Sequence, residues 1–102
     1  MSALERDEGV ITAAIKNHID TNGGNYPAWY VGIARNPIER LFKDHNVDKA
    51  RGIWIYRDAG SRAVAERIEM TFIRLGIKGN PGGGSEDTTW VYAYKIEPYT
   101  RE

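Results

Sequence analysis

YVGIARNPIERLFKDH, residues 30–45, is the stretch from which the rest of the chain is read. Tyr30 and Val31 lie in a run, AWYVGI, whose aromatic and β-branched content predicts a strand. Gly32 lies inside that run, where a glycine marks a bulge or a close approach of backbone. A short linker follows, and then Asn36-Pro37-Ile38-Glu39. Asn36 suits the N-cap, Pro37 the first helical position, and Glu39 completes a capping box. The helix predicted from this start runs to about His45, with Ile38, Leu41, Phe42 and His45 on one side. A strand ending near a glycine thus feeds directly into a helix that carries Arg40.

Before this stretch, Val10, Ile11, Ala14, Ile15 and Ile19 recur at helical spacing, predicting a helix over 10–19 that stops at Asn22-Gly23-Gly24. After it, RGIWIYR (51–57) reads as a strand. A helix over 62–75 opens after Gly60-Ser61 and closes at Gly76, with a stripe of Val64, Ala65, Ile68, Phe72 and Leu75 and with Glu69 at its margin. GIKGNPGGGSEDTT follows as a glycine-rich loop, and TWVYAYKI (89–96) as an alternating strand. Nothing divides the chain, so residues 1–102 are expected to form one α/β (α+β) domain, a small sandwich with a three-stranded sheet flanked by helices.

Composition narrows the function. Fourteen acidic and fourteen basic residues balance, which weakens any case for strong non-specific nucleic-acid binding through excess Lys and Arg. The absence of cysteine excludes disulfides and thiolate metal sites, and two histidines, His18 and His45, are too few for a His-based zinc site. The sequence has no long apolar run and no charged-then-apolar leader, so the expectation is a soluble cytoplasmic domain without membrane contact. The glycine-rich loop is not a P-loop, because no Gly-Lys-Ser/Thr follows its glycines.

The stretch 30–45 resembles the central motif of the GIY-YIG nuclease superfamily. Members carry a strand ending in Tyr-Ile-Gly or Tyr-Val-Gly, a helix with an essential Arg and a later helix with an essential Glu. Tyr30-Val31-Gly32, Arg40 and Glu69 stand at matching places, and the resemblance covers about half the chain. Two departures are visible. No Gly-Ile-Tyr precedes the central motif; instead WVYAYKI at the other end looks like the missing strand, as in a circular permutation. Tyr92 would then replace the first-motif tyrosine, with Tyr94 in reserve on the same face. Members also often place a His four residues after the Arg, whereas here Asp44 holds that position and His45 comes one later. On an α-helix one residue turns a side chain by roughly a hundred degrees.

The resemblance implies a metal-dependent endonuclease that hydrolyses DNA phosphodiester bonds. Glu69 would hold a single divalent cation, Mg²⁺ or Mn²⁺. Arg40 would grip the scissile phosphate through its planar fork. Tyr30 would act as base or orient the attacking water, although a phenol of ordinary pKa (~10) is a poor base at neutral pH. Tyr92 is the second phenol and His45 the remaining catalytic candidate. Gly32, Arg35 and Lys43 would contact substrate, Gly32 by letting backbone approach the substrate or the next element. The partner would be DNA, with a homodimer or a separate DNA-binding protein supplying further contact.

Plainer readings stand beside these. Arg40 pairs with Asp44 as an exposed bridge one turn on, His45 caps the end of its helix, and His18 and the tryptophans Trp29, Trp54 and Trp90 are packing residues. Glu69 is the more telling, since a carboxylate at the edge of a buried face needs a partner. The alternative function is a non-catalytic nucleic-acid-binding or protein-interaction module of the same fold. The discriminating geometry is whether the Tyr30 hydroxyl, Arg40 and Glu69 meet in one pocket or point to different faces.

Overall fold

The computed structural model describes residues 7–81 and 84–102. Helix α1 (Glu8–Thr21) starts where the Asp7 side chain accepts a hydrogen bond from the Val10 N–H at 3.1 Å. A single 3₁₀ turn leads into strand β1 (Trp29–Ala34). A short helical turn, α2 (Pro37–Glu39), begins with the Asn36 side chain accepting from the Glu39 N–H, and continues as a π-helical turn over Arg40–Asp44. Strand β2 (Trp54–Asp58), helix α3 (Arg62–Arg74), strand β3 (Lys78–Gly79) and strand β4 (Trp90–Lys95) complete the order.

The strands form one mixed sheet in the order β2-β4-β1-β3. β4 runs antiparallel to β1 along its whole length, with Gly32 opposite Tyr92 and Tyr30 opposite Tyr94. β2 pairs antiparallel with the other edge of β4. The three strands expected from sequence are therefore corrected to four. The addition is β3, of two residues, parallel to β1 at Tyr30 and Val31 and set inside the segment read as loop. Two residues carry no periodicity to detect. Gly79 lies so close that a Cβ there would meet the Ile73 Cδ1 at 2.9 Å and the Val31 carbonyl at 3.0 Å.

Alternation splits the two central strands between two cores. Trp29, Val31, Val91 and Ala93 face α1 and α3, meeting Ile11, Ile15, Ile19, Ile68 and Phe72. Tyr30, Ala34, Tyr92 and Tyr94 face the other way, against Leu41 and Val47 beyond the π turn. The result is a compact α+β globule with a radius of gyration of 12.5 Å, close to the ~13 Å of a folded chain this long. No described helix is long and apolar enough to cross a membrane.

Helix ends depart from the expected stripes: Val10, Ile38 and Leu75 are exposed although their spacing put them on apolar faces. Each lies at or near a helix end, beyond what the sheet covers. His18 packs edge-on against Trp29 with ring centres 5.7 Å apart, as a packed histidine does.

Candidate active site

The tyrosine face of the sheet gathers most of the residues singled out in the sequence. Gly32 makes room for this. A Cβ at Gly32 would overlap the hydroxyl and ring carbon Cζ of Tyr92, the residue directly across from it on β4. Gly32 therefore serves the next element rather than a substrate: it lets the Tyr92 ring lie over the β1 backbone. Tyr92 and Tyr94 are fully buried and Tyr30 nearly so.

The π turn settles the position of His45. The His45 N–H donates to the Arg40 carbonyl, five residues back, at 2.8 Å. The widened turn absorbs the extra residue between Arg40 and His45, so the imidazole is carried into the tyrosine layer instead of rotating away from it. His45 is buried. Its Nδ1 lies 2.6 Å from the Arg101 carbonyl and its Nε2 lies 2.7 Å from the Tyr92 hydroxyl. A carbonyl only accepts, so Nδ1 carries the proton, and the bare Nε2 accepts from the Tyr92 O–H. Burial holds the imidazole below its ordinary pKa of 6.5, partly offset by the Arg101 backbone contact. The Arg101 N–H also donates to the His45 carbonyl at 2.7 Å. Tyr94 donates to the Arg101 carbonyl at 3.2 Å and sits 3.1 Å from Nδ1.

Electrostatics set the phenols apart from ordinary tyrosines. Burial pushes Tyr92 up to about 12, with the Arg40 guanidinium the main opposing influence. Burial likewise raises Tyr94, with Tyr30 and Tyr92 adding to the rise. Tyr30 is raised by burial, against the pull of Arg40 and with the help of Glu69 and Glu102. The Tyr30 hydroxyl has no hydrogen-bond partner among the described residues, and Tyr30 contributes to the wall of a cleft of about 440 Å³. Arg35, Asn36, Arg40, Asn80 and Glu102 share that wall. Arg40 also makes the bridge anticipated for it, Nε to the Asp44 Oδ2 at 3.6 Å, with both side chains about half exposed.

Glu69 comes from α3, on the far side of the sheet. Its charge is a lesser cause of the rise of Tyr30 and Tyr92, and it is not among the residues lining the cleft. It is 3 % exposed, and no described residue gives it a hydrogen bond or an ion pair. Burial, with Glu66 a lesser cause, pushes its carboxyl up to about 7. Neither carboxyl oxygen is a fully enclosed atom lacking a partner, so the group keeps a small opening through which water or a bound cation would reach it. Among the described residues no three His, Asp or Glu side chains gather as metal ligands, so waters would fill most positions around an ion held by Glu69. Glu66 and Arg67 behave as a solvated face, Arg62 pairing with Glu66 at 3.3 Å and Arg67 with Glu8 at 2.9 Å.

The structure thus brings Tyr30 and Arg40 to one cleft, with His45 and Tyr92 buried behind Tyr30, and leaves Glu69 on α3 outside that cleft. Arg35 reaches the same cleft, whereas Lys43 is exposed and outside it. Part of the glycine-rich loop, Asn80 and Gly84, borders the cleft; Gly82 and Gly83 lie outside the described residues. Arg101 was missed because its contribution is a backbone carbonyl, which no residue type announces. Compared with protein-family models, with characterised proteins and with solved structures, the chain shows no match.

Proposed function

We propose that this protein is a GIY-YIG-type, metal-dependent endonuclease that hydrolyses DNA phosphodiester bonds, its first-motif strand supplied by β4. The observation that carries the reading is the cleft walled by Tyr30 and Arg40, backed by the hydrogen-bonded layer Tyr92–His45–Arg101.

Each residue then has a task. Arg40 binds the scissile phosphate and stabilises the charge that grows on its oxygens. The Tyr30 hydroxyl, in the cleft wall, orients or deprotonates the attacking water, while Tyr92, fully buried behind it, donates to the bare His45 Nε2 and holds that layer in place. Arg101 fixes the tautomer that leaves Nε2 free to accept. The base or water-orienting role expected of Tyr30 stays with it, because its side chain lines the cleft that Arg40 shares. Glu69 would hold Mg²⁺ or Mn²⁺, whose chemistry when bound is charge neutralisation at the phosphate and acidification of water. Supercoiled plasmid incubated with Mg²⁺ tests the reading. Nicking by the wild type, lost in EDTA and in Glu69→Ala, supports it; a wild type that leaves plasmid, single strands and branched DNA intact defeats it.

A second reading keeps the fold without the catalysis, as a nucleic-acid-binding or protein-interaction module. The observation in its favour is that Glu69 does not line the cleft. Under that reading DNA is bound with and without Mg²⁺ and never cut.

A further inference from the structure

Next to Tyr92, the same face of the sheet carries rings for which the proposed chemistry has no use. Trp54 and Tyr56 of β2 stand opposite Tyr94 and Tyr92, in parallel planes with ring centres 5.8 Å apart. Phe42 meets Trp54 edge-on at 5.0 Å, and Trp90 meets Tyr56 at 5.7 Å. Unlike the tyrosines of the core, all four are partly exposed. The Trp54 indole is steadied by donating to the Lys49 carbonyl at 3.2 Å.

Cations outnumber carboxylates around this row once the Arg40–Asp44 pair is set aside. Asp44 is taken by Arg40. Asp48 accepts from the backbone of Ala50 and Arg51, and Asp58 from the backbone of Gly60. Lys43, Lys49 and Arg51 are exposed and in no ion pair among the described residues. The Lys49 ammonium lies 5.6 Å from the centre of the Phe42 ring.

We propose that this row is a stacking platform for unpaired nucleotides, so that the substrate of the adjoining site is single-stranded or locally opened nucleic acid. Accessible aromatic faces beside exposed cations are the two ingredients of single-strand binding. The platform is continuous with the site, since Tyr56 faces Tyr92 across β2 and β4 and Trp90 lies two residues before Tyr92. The inference rests on the nuclease reading for its choice of substrate, and its test measures binding apart from cleavage.

Fluorescein-labelled oligothymidylate, oligouridylate and a blunt duplex of equal length are titrated with the protein in EDTA, following anisotropy and tryptophan emission. Either single strand should bind about tenfold or more tighter than the duplex and quench the emission. Trp54→Leu and Tyr56→Leu should each weaken that binding about tenfold. Lys49→Glu, a surface change that spares the core, should weaken it and flatten its salt dependence. Duplex binding as tight as single-strand binding overturns the proposal, as does single-strand affinity unchanged in Trp54→Leu and Lys49→Glu, or no oligonucleotide binding by folded wild type. Single strands bound but never cut in Mg²⁺ leave the platform standing and count against the nuclease; duplex cut without single-strand preference does the reverse.

Discussion

Glu69→Gln separates the roles of one buried carboxyl in folding and in function. In the folded protein the Glu69 carboxyl is raised from its ordinary 4.5 to about 7, so folding favours its neutral form. That stability is fully present below the unfolded value and is lost as pH rises through the folded value. At about 1.4 kcal/mol per pH unit, the shift amounts to about 3 kcal/mol by pH 8, a sizeable part of the ~5–15 kcal/mol that holds a small domain together. Gln keeps the shape and removes the ionisation. In urea denaturation with EDTA present, Glu69→Gln should gain about 3 kcal/mol relative to wild type on going from pH 4 to pH 8. Comparing the two pH values cancels any fixed effect of the amide. Adding Mg²⁺ at pH 8 should then stabilise the wild type and leave the variant unchanged, because binding to the folded state alone raises stability by mass action. A gap between the two proteins that is the same at pH 4 and pH 8 would refute the reasoning, for it would mean that the carboxylate already has a partner or is fully hydrated.

Three further outcomes follow from the same geometry. Tyr92→Phe leaves the buried His45 Nε2 without its 2.7 Å hydrogen bond, and urea midpoints should report a loss of about 1–3 kcal/mol. Gly32→Ala drives a methyl into the Tyr92 ring; it should destabilise by about 1–3 kcal/mol and alter the near-ultraviolet circular dichroism of the tyrosines, and a neutral result would contradict the close approach. The His45 ring, held below 6.5 by burial, should titrate below that value by NMR. Its contribution to stability is present above 6.5 and lost as pH falls through the folded value, so a normal midpoint would show that the imidazole is not enclosed.

Much of the site was legible because its residues announce themselves. Asn36-Pro37-Ile38-Glu39 named a helix start, and the side chain of Asn36 caps it. The alternation of WVYAYK put Tyr92 and Tyr94 on one face, and both are buried there. Glu69, four residues past Ala65, was readable at the margin of a stripe and is in fact inside it. The π turn was hidden, since no residue type marks an extra residue in a helical turn, and it alone rescues His45 from its offset after Arg40. β3 was hidden for want of length, and Arg101 because a carbonyl has no letter in the sequence.

The central claim is that residues from both sides of the sheet act as one catalytic unit. The most direct measurement is the single-turnover rate of plasmid nicking in Mg²⁺ for wild type, Arg40→Ala, Glu69→Ala and the double variant. If the residues work as a unit, the wild type nicks, each single variant loses most of the rate, and the double variant is little worse than the poorer single. Losses that multiply in the double variant, or a folded wild type that does not nick at all, would contradict the account.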